Sequence, residues 1–329
     1  MTAPLLDVQE LRVAFASAAG LAPVVQGLSF RLERGRTLAI VGESGSGKSV
    51  TALSIVGLLP ATAKVDGHIL LDGRELLGLA ERDLRQLRGA AIGLVFQEPM
   101  TSLNPVLTIG DQVREAVALH QRMTGALLRA RSMELLVEVG IAAPARVLGQ
   151  YPHQLSGGMR QRVMIAIALA CDPPILIADE PTTALDVTVQ AQILALIRQR
   201  QERSNCGVLL ITHDLGVVAE LADRVVVLYA GRAVEEADVA DIFDRPAHPY
   251  TRGLLGARTT IGAAPAGTRR RLAEIPGSAP QAGGVARGCA FAGRCPNVHP
   301  RCLEVRPELR PNGERRQVAC HLATAVAFA

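Results

Sequence analysis

The run Arg36-Thr37-Leu38-Ala39-Ile40-Val41, continued by Gly42-Glu43-Ser44-Gly45-Ser46-Gly47-Lys48-Ser49, is the most informative stretch of this 329-residue chain. Its apolar half has the length of a buried strand. The second half matches G-x-x-x-x-G-K-[ST], and Lys48–Leu59 then reads as a helix with Val50, Leu53, Ile55 and Val56 available for packing. Strand, glycine-rich loop and helix together turn backbone N–H groups and the positive end of a helix dipole toward one point, which suits a phosphate chain. Gly42, Glu43, Ser44, Gly45, Ser46, Gly47, Lys48, Ser49 and Val50 are the candidate contacts. Lys48 would reach the outer phosphates and Ser49 would ligate Mg2+. Only Lys48 and Lys64 are lysines among the 35 basic residues, so a lysine here stands out against arginine usage.

Outward from this loop, Pro174–Asp179, Gly207–Thr212 and Arg224–Tyr229 are continuous apolar runs, separated by helical stretches near 188–202 and 214–222. Unbroken apolarity suits parallel strands covered on both faces, hence an α/β core. Leu5–Phe15 and Val24–Leu32 read as antiparallel strands, and Gly67–Leu71 with Asp72-Gly73 as a hairpin arm and turn. Between about 105 and 170 strand signals vanish while 110–120, 127–139 and 157–170 carry helical periodicity, so a helical subdomain is expected there. After about 256 the composition turns to Gly, Pro, Ala and Arg. A boundary is expected there, giving a first domain over 1–256 and an extension over 257–329.

Composition bounds the function. With 49% apolar, 20% charged and 3% aromatic residues the chain reads as a soluble globular protein. No apolar run approaches the roughly 18 residues of a spanning helix, and the start lacks the features of a signal peptide. The net charge of +4 hides an asymmetry: residues 257–329 carry 11 Lys and Arg against 4 Asp and Glu, the preceding residues 24 against 27. Apart from Arg269-Arg270-Arg271 these arginines are scattered and lack an aromatic platform, so no nucleic-acid partner is expected.

Two further motifs add chemistry. Ile175-Leu176-Ile177-Ala178-Asp179-Glu180 ends a greasy strand in two carboxylates that project differently, so Asp179 can serve a metal while Glu180 polarises a water. Leu155-Ser156-Gly157-Gly158-Met159 opens a helix with free N–H groups and a hydroxyl, a second anion-binding helix end. This sequence resembles the signature of ATP-binding-cassette (ABC) ATPases, and the resemblance covers residues 5–255 with the motifs in order. It implies a P-loop NTPase core of ABC ATPase type, with an antiparallel β subdomain, an inserted helical subdomain and a loop-rich C-terminal extension. It also implies roles: Gln97 as the Q-loop residue near Mg2+ or the attacking water, Asp186 as the D-loop residue facing a partner ATPase, and His213 as the switch histidine at the γ-phosphate. Glu180, His213, Lys48 and Gln97 make the catalytic set, Ser49, Gln97 and Asp179 the Mg2+ set. Phe15 stands where the family stacks an aromatic ring on adenine, here Phe in place of the commoner Tyr. A phosphate-loop kinase or GTPase is disfavoured by LSGGM and by the lack of an N-K-x-D tetrapeptide. A soluble ABC protein acting on nucleic acid or ribosomes is the remote alternative.

The tail carries Cys289, Cys295, Cys302 and Cys320 spaced C-x5-C-x6-C-x17-C, gaps too long for common zinc knuckles. Thiolate ligation of one [4Fe–4S] cluster would explain four thiols in a segment with little core of its own; zinc, free thiols and disulfides are alternatives. Residues 275–321, with His248-Pro249-Tyr250-Thr251 before them, resemble the C-terminal extension of ATPases from oligopeptide/dipeptide ABC importers. That resemblance implies two permease subunits, a second ATPase subunit, an indirect solute-binding protein and a peripheral place on the cytoplasmic face of the cell membrane. The expected cargo is peptide, with nickel or another solute of the same importer class as the alternative.

Overall fold

The computed structural model describes residues 3–17, 20–98, 102–183, 185–257, 275–278, 280 and 287–323. Ala184, the Arg269–Arg271 run and most of the Gly/Pro-rich stretch after 257 lie outside them.

Two sheets organise the molecule. The larger contains β3 (Thr37–Val41), β6 (Ile92–Val95), β7 (Ile175–Asp179), β8 (Gly207–Thr212) and β9 (Arg224–Tyr229) as parallel strands in the order β9-β3-β8-β7-β6. β3, β7 and β8 are buried at every residue, and the reason is a division by alternate residues. Leu38, Ile40, Ile175, Ile177, Leu209 and Ile211 join one apolar cluster, while Ala39, Val41, Leu176, Ala178, Val208 and Leu210 join another on the opposite face. A run apolar at every position is what two covered faces require.

The first cluster is completed by the four-stranded antiparallel sheet β2-β1-β4-β5, formed by β1 (Leu6–Ser17), β2 (Gly20–Leu32), β4 (Ala63–Leu71) and β5 (Arg74–Glu75). Helix α1 (Lys48–Ile55) lies against the same cluster through Ala52 and Ile55. It stops earlier than the expected Leu59, because Gly57 adopts φ 64° and Pro60 follows. Helix α2 (Glu81–Leu87) precedes β6, and between β6 and β7 the chain forms the helices α3 (Ile109–Ala118), α4 (Gly125–Glu138), α5 (Pro144–Val147) and α6 (Gly157–Ala168). Thr108 and Asp111 close a capping box at the start of α3. Val113, Val117, Leu135, Leu136 and Val163 pack these helices into the second cluster. Beyond β7 come α7 (Val187–Ser204) and α8 (Leu215–Leu221).

Strands β6 and β10 (Arg232–Asp238) are among those that escape sequence reading. β6 is four residues long with Gly93 inside, where a Cβ would come within 2.4 Å of the Ala168 carbonyl oxygen. β10 contains Glu235, whose burial is satisfied by the N–H groups of Ala247 and His248 at 2.8 and 2.9 Å. After β10 the chain forms α9 (Val239–Asp244) and α10 (Pro249–Gly256).

The described part of the tail does not stand apart from the body. It contributes α11 (Pro300–Glu304), β11 (Arg310–Pro311) and β12 (Gln317–Val318), and β12 pairs with β10 to extend the large sheet. Phe291 joins the second cluster, packed on Tyr229 and Tyr250 at ring distances of 5.3 and 5.4 Å. Burial of Phe291 and Val318 contributes about 3–6 kcal/mol in sum, enough to dock a loop-rich segment. No helix among the described residues is long and apolar enough to cross a membrane.

Candidate nucleotide site

Gly42 must be a glycine: a Cβ there would meet the Leu228 carbonyl oxygen at 2.2 Å. Gly47 takes φ 101° in the left-handed region and delivers the chain into α1, whose N-terminus carries no side-chain cap. The first N–H groups of that helix therefore face the loop without a side-chain acceptor. Lys48 donates to the carbonyl oxygens of Gly42 (2.7 Å) and Glu43 (3.0 Å), which folds its ammonium over the loop. Burial pushes the Lys48 pKa below the usual lysine value, opposed by the carboxylates of Glu180, Asp179 and Glu43.

The loop borders a cavity of about 540 Å3 whose lining includes Gly42–Gly45, Gly47–Val50, Gln97, Glu180 and His213. Ser46 is buried beneath it, and its hydroxyl has no hydrogen-bond partner. Asp179 ends β7 below the cavity. Burial raises its pKa; the Ser49 hydrogen bond counters this and neighbouring Glu180 adds to it. The second carboxylate oxygen of Asp179, Oδ1, is buried without a partner. A hydroxyl and an orphaned carboxylate oxygen side by side form a donor set of hard oxygens, which fits Mg2+.

Glu180 is the strained residue of the site. At φ 51° it occupies the left-handed region, a conformation that costs about 1–3 kcal/mol for a non-glycine residue. The twist separates its side chain from that of Asp179 and turns it into the cavity. There Oε1 lies 2.7 Å from His213 Nδ1, and Oε2 accepts the Thr183 hydroxyl at 2.9 Å. His213 is itself exposed on its far side.

The other expected residues fall elsewhere. Phe15 packs on the antiparallel sheet's cluster and is not part of the cavity lining. Val24, Leu215 and Leu254 supply its apolar wall, and no motif flagged them. Leu155, Ser156, Gly157, Gly158 and Met159 do not line the cavity either. Leu155 is buried, while Ser156 and Gly157 are exposed and the Ser156 hydroxyl accepts the Met159 N–H at 3.3 Å. Asp186 caps α7 through the Val189 N–H at 2.9 Å and is likewise exposed. Buried Gln161, absent from the sequence reading, donates to the Pro181 carbonyl at 2.6 Å and so links α6 to the residue after Glu180.

In the tail, Cys289, Cys295, Cys302 and Cys320 are free thiols, so the disulfide alternative is not realised. Burial pushes the Cys289 thiol up, and the neighbouring thiols of Cys302, Cys320 and Cys295 push it further. A set of four thiols suits iron–sulfur or zinc chemistry. Among the described residues no group of three or more His, Cys, Asp or Glu is already arranged to hold a metal ion. Instead, backbone contacts such as Cys289 N–H to the Cys302 carbonyl at 2.7 Å set the spacing.

The chain is similar to known proteins. Residues 25–183 match the family described as ABC transporter, and residues 234–302 the one described as oligopeptide/dipeptide transporter, C-terminal region. The chain is 52% identical over 318 residues to the oligopeptide transport ATP-binding protein OppD of Mycobacterium tuberculosis, covering 96% of this chain and 52% of that protein. It is 50% identical over 322 residues to the dipeptide transport ATP-binding protein DppD of Bacillus subtilis, covering 97% and 94%. It thus spans about half the length of the mycobacterial relative and nearly all of the Bacillus one. Among solved structures, the dimeric bacterial ABC transporter cassette MJ0796 matches with a TM-score of 0.65 and 30% identity over 71% of this chain and 98% of that one. A dimeric post-hydrolysis state of the same cassette, bound to ADP and Pi, matches with a TM-score of 0.64, 30% identity and the same 71% and 98% coverage.

Proposed function

Because the chain belongs to the ATP-binding proteins of the ABC transporter family, we propose that it hydrolyses ATP to power import of dipeptides or oligopeptides. The observation that carries the ATPase half is the placement of Glu180: a strained, buried carboxylate fixed at both oxygens, facing the cavity that Lys48 and the α1 N-terminus also line. The peptide half is supported by the match of residues 234–302 and by the names of the relatives.

In this mechanism the loop amides and Lys48 bind the triphosphate, and Glu180 takes the proton of the attacking water. His213 and Thr183 hold the Glu180 carboxylate in line. Ser49 and Asp179, with Gln97, would hold Mg2+, which would supply neutralisation of the phosphate charge. Ser156–Gly158 lie outside the cavity, and two chains packed head to tail would bring those residues of one onto the nucleotide of the other. Adenine recognition then falls to the Phe15 region or to the apolar wall. Two hydrophobic permeases would be the membrane partners, leaving this chain peripheral on the cytoplasmic face.

Glu180→Gln is the direct test. It should keep MgATP binding and lower turnover by roughly 10²-fold or more, the usual weight of general-base help; undiminished turnover would remove Glu180 from the catalytic role. Uptake of a panel of di- and oligopeptides by cells with and without the gene tests the cargo. The four cysteines are the finer part of the proposal: they would hold one [4Fe–4S] cluster, with zinc as the alternative. Anaerobic purification should give iron and sulfide, or zinc, in stoichiometric amount, and a fully active metal-free protein would refute the ligand assignment.

A further inference from the structure

One side chain joins the cysteine-bearing tail directly to the phosphate loop. The Arg294 guanidinium forms a two-pronged pair with Glu43, Nη1 to Oε2 at 2.7 Å and Nη2 to Oε1 at 3.0 Å. Its Nε donates to the Pro276 carbonyl at 2.8 Å, Nη2 also to that of Ile275 at 3.3 Å, and Nη1 to the Tyr229 hydroxyl at 3.4 Å. The fork is thereby held on several sides and is only 9% exposed. Surface ion pairs of this chain, such as Arg310 with Glu308 at 73% and 76% exposure, have no such frame.

Glu43 is the first variable residue of G-x-x-x-x-G-K-S, and it is pinned along its backbone as well. Its N–H donates to the Tyr250 hydroxyl at 2.9 Å, and its carbonyl accepts from Lys48 Nζ at 3.0 Å and from the Ser46 N–H at 3.2 Å. The position of Glu43 therefore sets the position from which the Lys48 ammonium operates. On the tail side, Arg294 ends the short turn Ala292–Arg294. Phe291 anchors the start of that turn among Tyr229 and Tyr250, and the Ala292 N–H donates to the Cys289 carbonyl at 3.0 Å. Cys295 follows immediately.

A bidentate arginine–carboxylate pair fixes direction as well as distance, so this contact restrains the loop rather than merely attracting it. We propose that Arg294 is a positioning residue for ATP: acting through Glu43, it holds the phosphate loop in its binding shape, so that docking of the four-cysteine tail sets nucleotide affinity. The proposal rests on the assignment of the cavity to ATP.

The test uses the full chain and two readouts, steady-state MgATP hydrolysis and hydrogen exchange of the amides at 43–46. Arg294→Met should raise KM for MgATP roughly tenfold, the lower end for a charge-assisted hydrogen bond, with kcat changed less than about threefold. Arg294→Lys should recover part of the loss, since an ammonium cannot span both oxygens. Glu43→Gln should match Arg294→Met, and the double variant should be no worse than either single. A fall in kcat at unchanged KM would mean fewer folded molecules and would overturn the proposal, as would additive effects in the double variant. If Arg294→Met loosens the whole tail, Glu43→Gln still decides, because it leaves the tail's own contacts intact; an unchanged KM there refutes the strut. A wild-type chain that neither binds nor hydrolyses MgATP would defeat the ATP assignment, and exchange would then judge the strut alone. Faster exchange at 43–46 in Arg294→Met would confirm that the pair restrains the loop, and unchanged exchange would sink it.

Discussion

Two helix N-termini in this molecule were expected to meet the same triphosphate, and they are built differently. At α1 the chain enters through Gly47 at φ 101° with no side-chain cap, and Lys48, Ser49 and Glu180 surround one cavity. At α6 the Ser156 hydroxyl already accepts the Met159 N–H, and the exposed residues around it line no part of that cavity. Both ends present first-turn N–H groups that no carbonyl of their own helix accepts. What makes one of them a pocket is the company: a lysine, a hydroxyl and two carboxylates brought there by β3, β7 and β8. The other offers only small residues on an outer surface, the form expected of a contact completed by another molecule.

The strongest way to break this comparison is to disable each end in turn. Lys48→Ala should weaken MgATP binding to the dilute chain by about 10–100-fold, the range for a lost charge-assisted hydrogen bond. Ser156→Ala should leave that affinity within about twofold, because it removes a helix cap worth about 1 kcal/mol outside the cavity. Its effect should appear at concentrations where chains meet, as turnover per chain reduced about tenfold while the wild type accelerates with concentration. Equal losses of dilute-chain affinity in both variants would place the two helix ends in one site and end the distinction.

Much of this contrast is legible in the sequence because each part uses a local code. The glycine pattern of 42–47 and the apolar run before it specify strand, loop and helix within fourteen residues. Asp179 and Glu180 are readable as a pair at a strand end, although the left-handed turn that separates them is not. The unread parts depend on contacts between distant residues. Glu235 looks like a surface acid and is buried because Ala247 and His248 present two N–H groups to it. Arg294 looks like one of several scattered arginines, and its partner lies 251 positions away. Tyr250 lies in a segment that resembles peptide-importer ATPases, yet its hydroxyl on the Glu43 N–H is a tertiary fact. The Gly/Pro/Arg composition after 256 suggested separation from the body; two aromatic contacts and a short strand pairing oppose that trend.

A third helix N-terminus sharpens the comparison by a smaller effect. α10 is capped from within by His248, whose Nδ1 accepts the Tyr250 N–H at 3.0 Å. Burial, aided by the positive charge of Arg252, pushes the His248 pKa down to about 4. Glu235 faces it too, but accepts the backbone N–H rather than the ring. An unfolded histidine titrates near 6.5, so the folded state prefers the neutral ring. This contribution to stability is complete above about pH 6.5 and is lost as the pH falls from there toward 4, by roughly 3 kcal/mol in all. Asparagine can supply the same cap without titrating. His248→Asn should therefore flatten the pH dependence of the unfolding free energy between about pH 6.5 and 4, at the cost of ring packing on Phe291. Because the residue two positions on holds the Glu43 N–H, MgATP affinity in the wild type should weaken over the same acid range and the variant should lose that dependence. An unchanged slope in the asparagine variant would assign the acid sensitivity to other groups and leave α10 a helix end whose cap is structural alone.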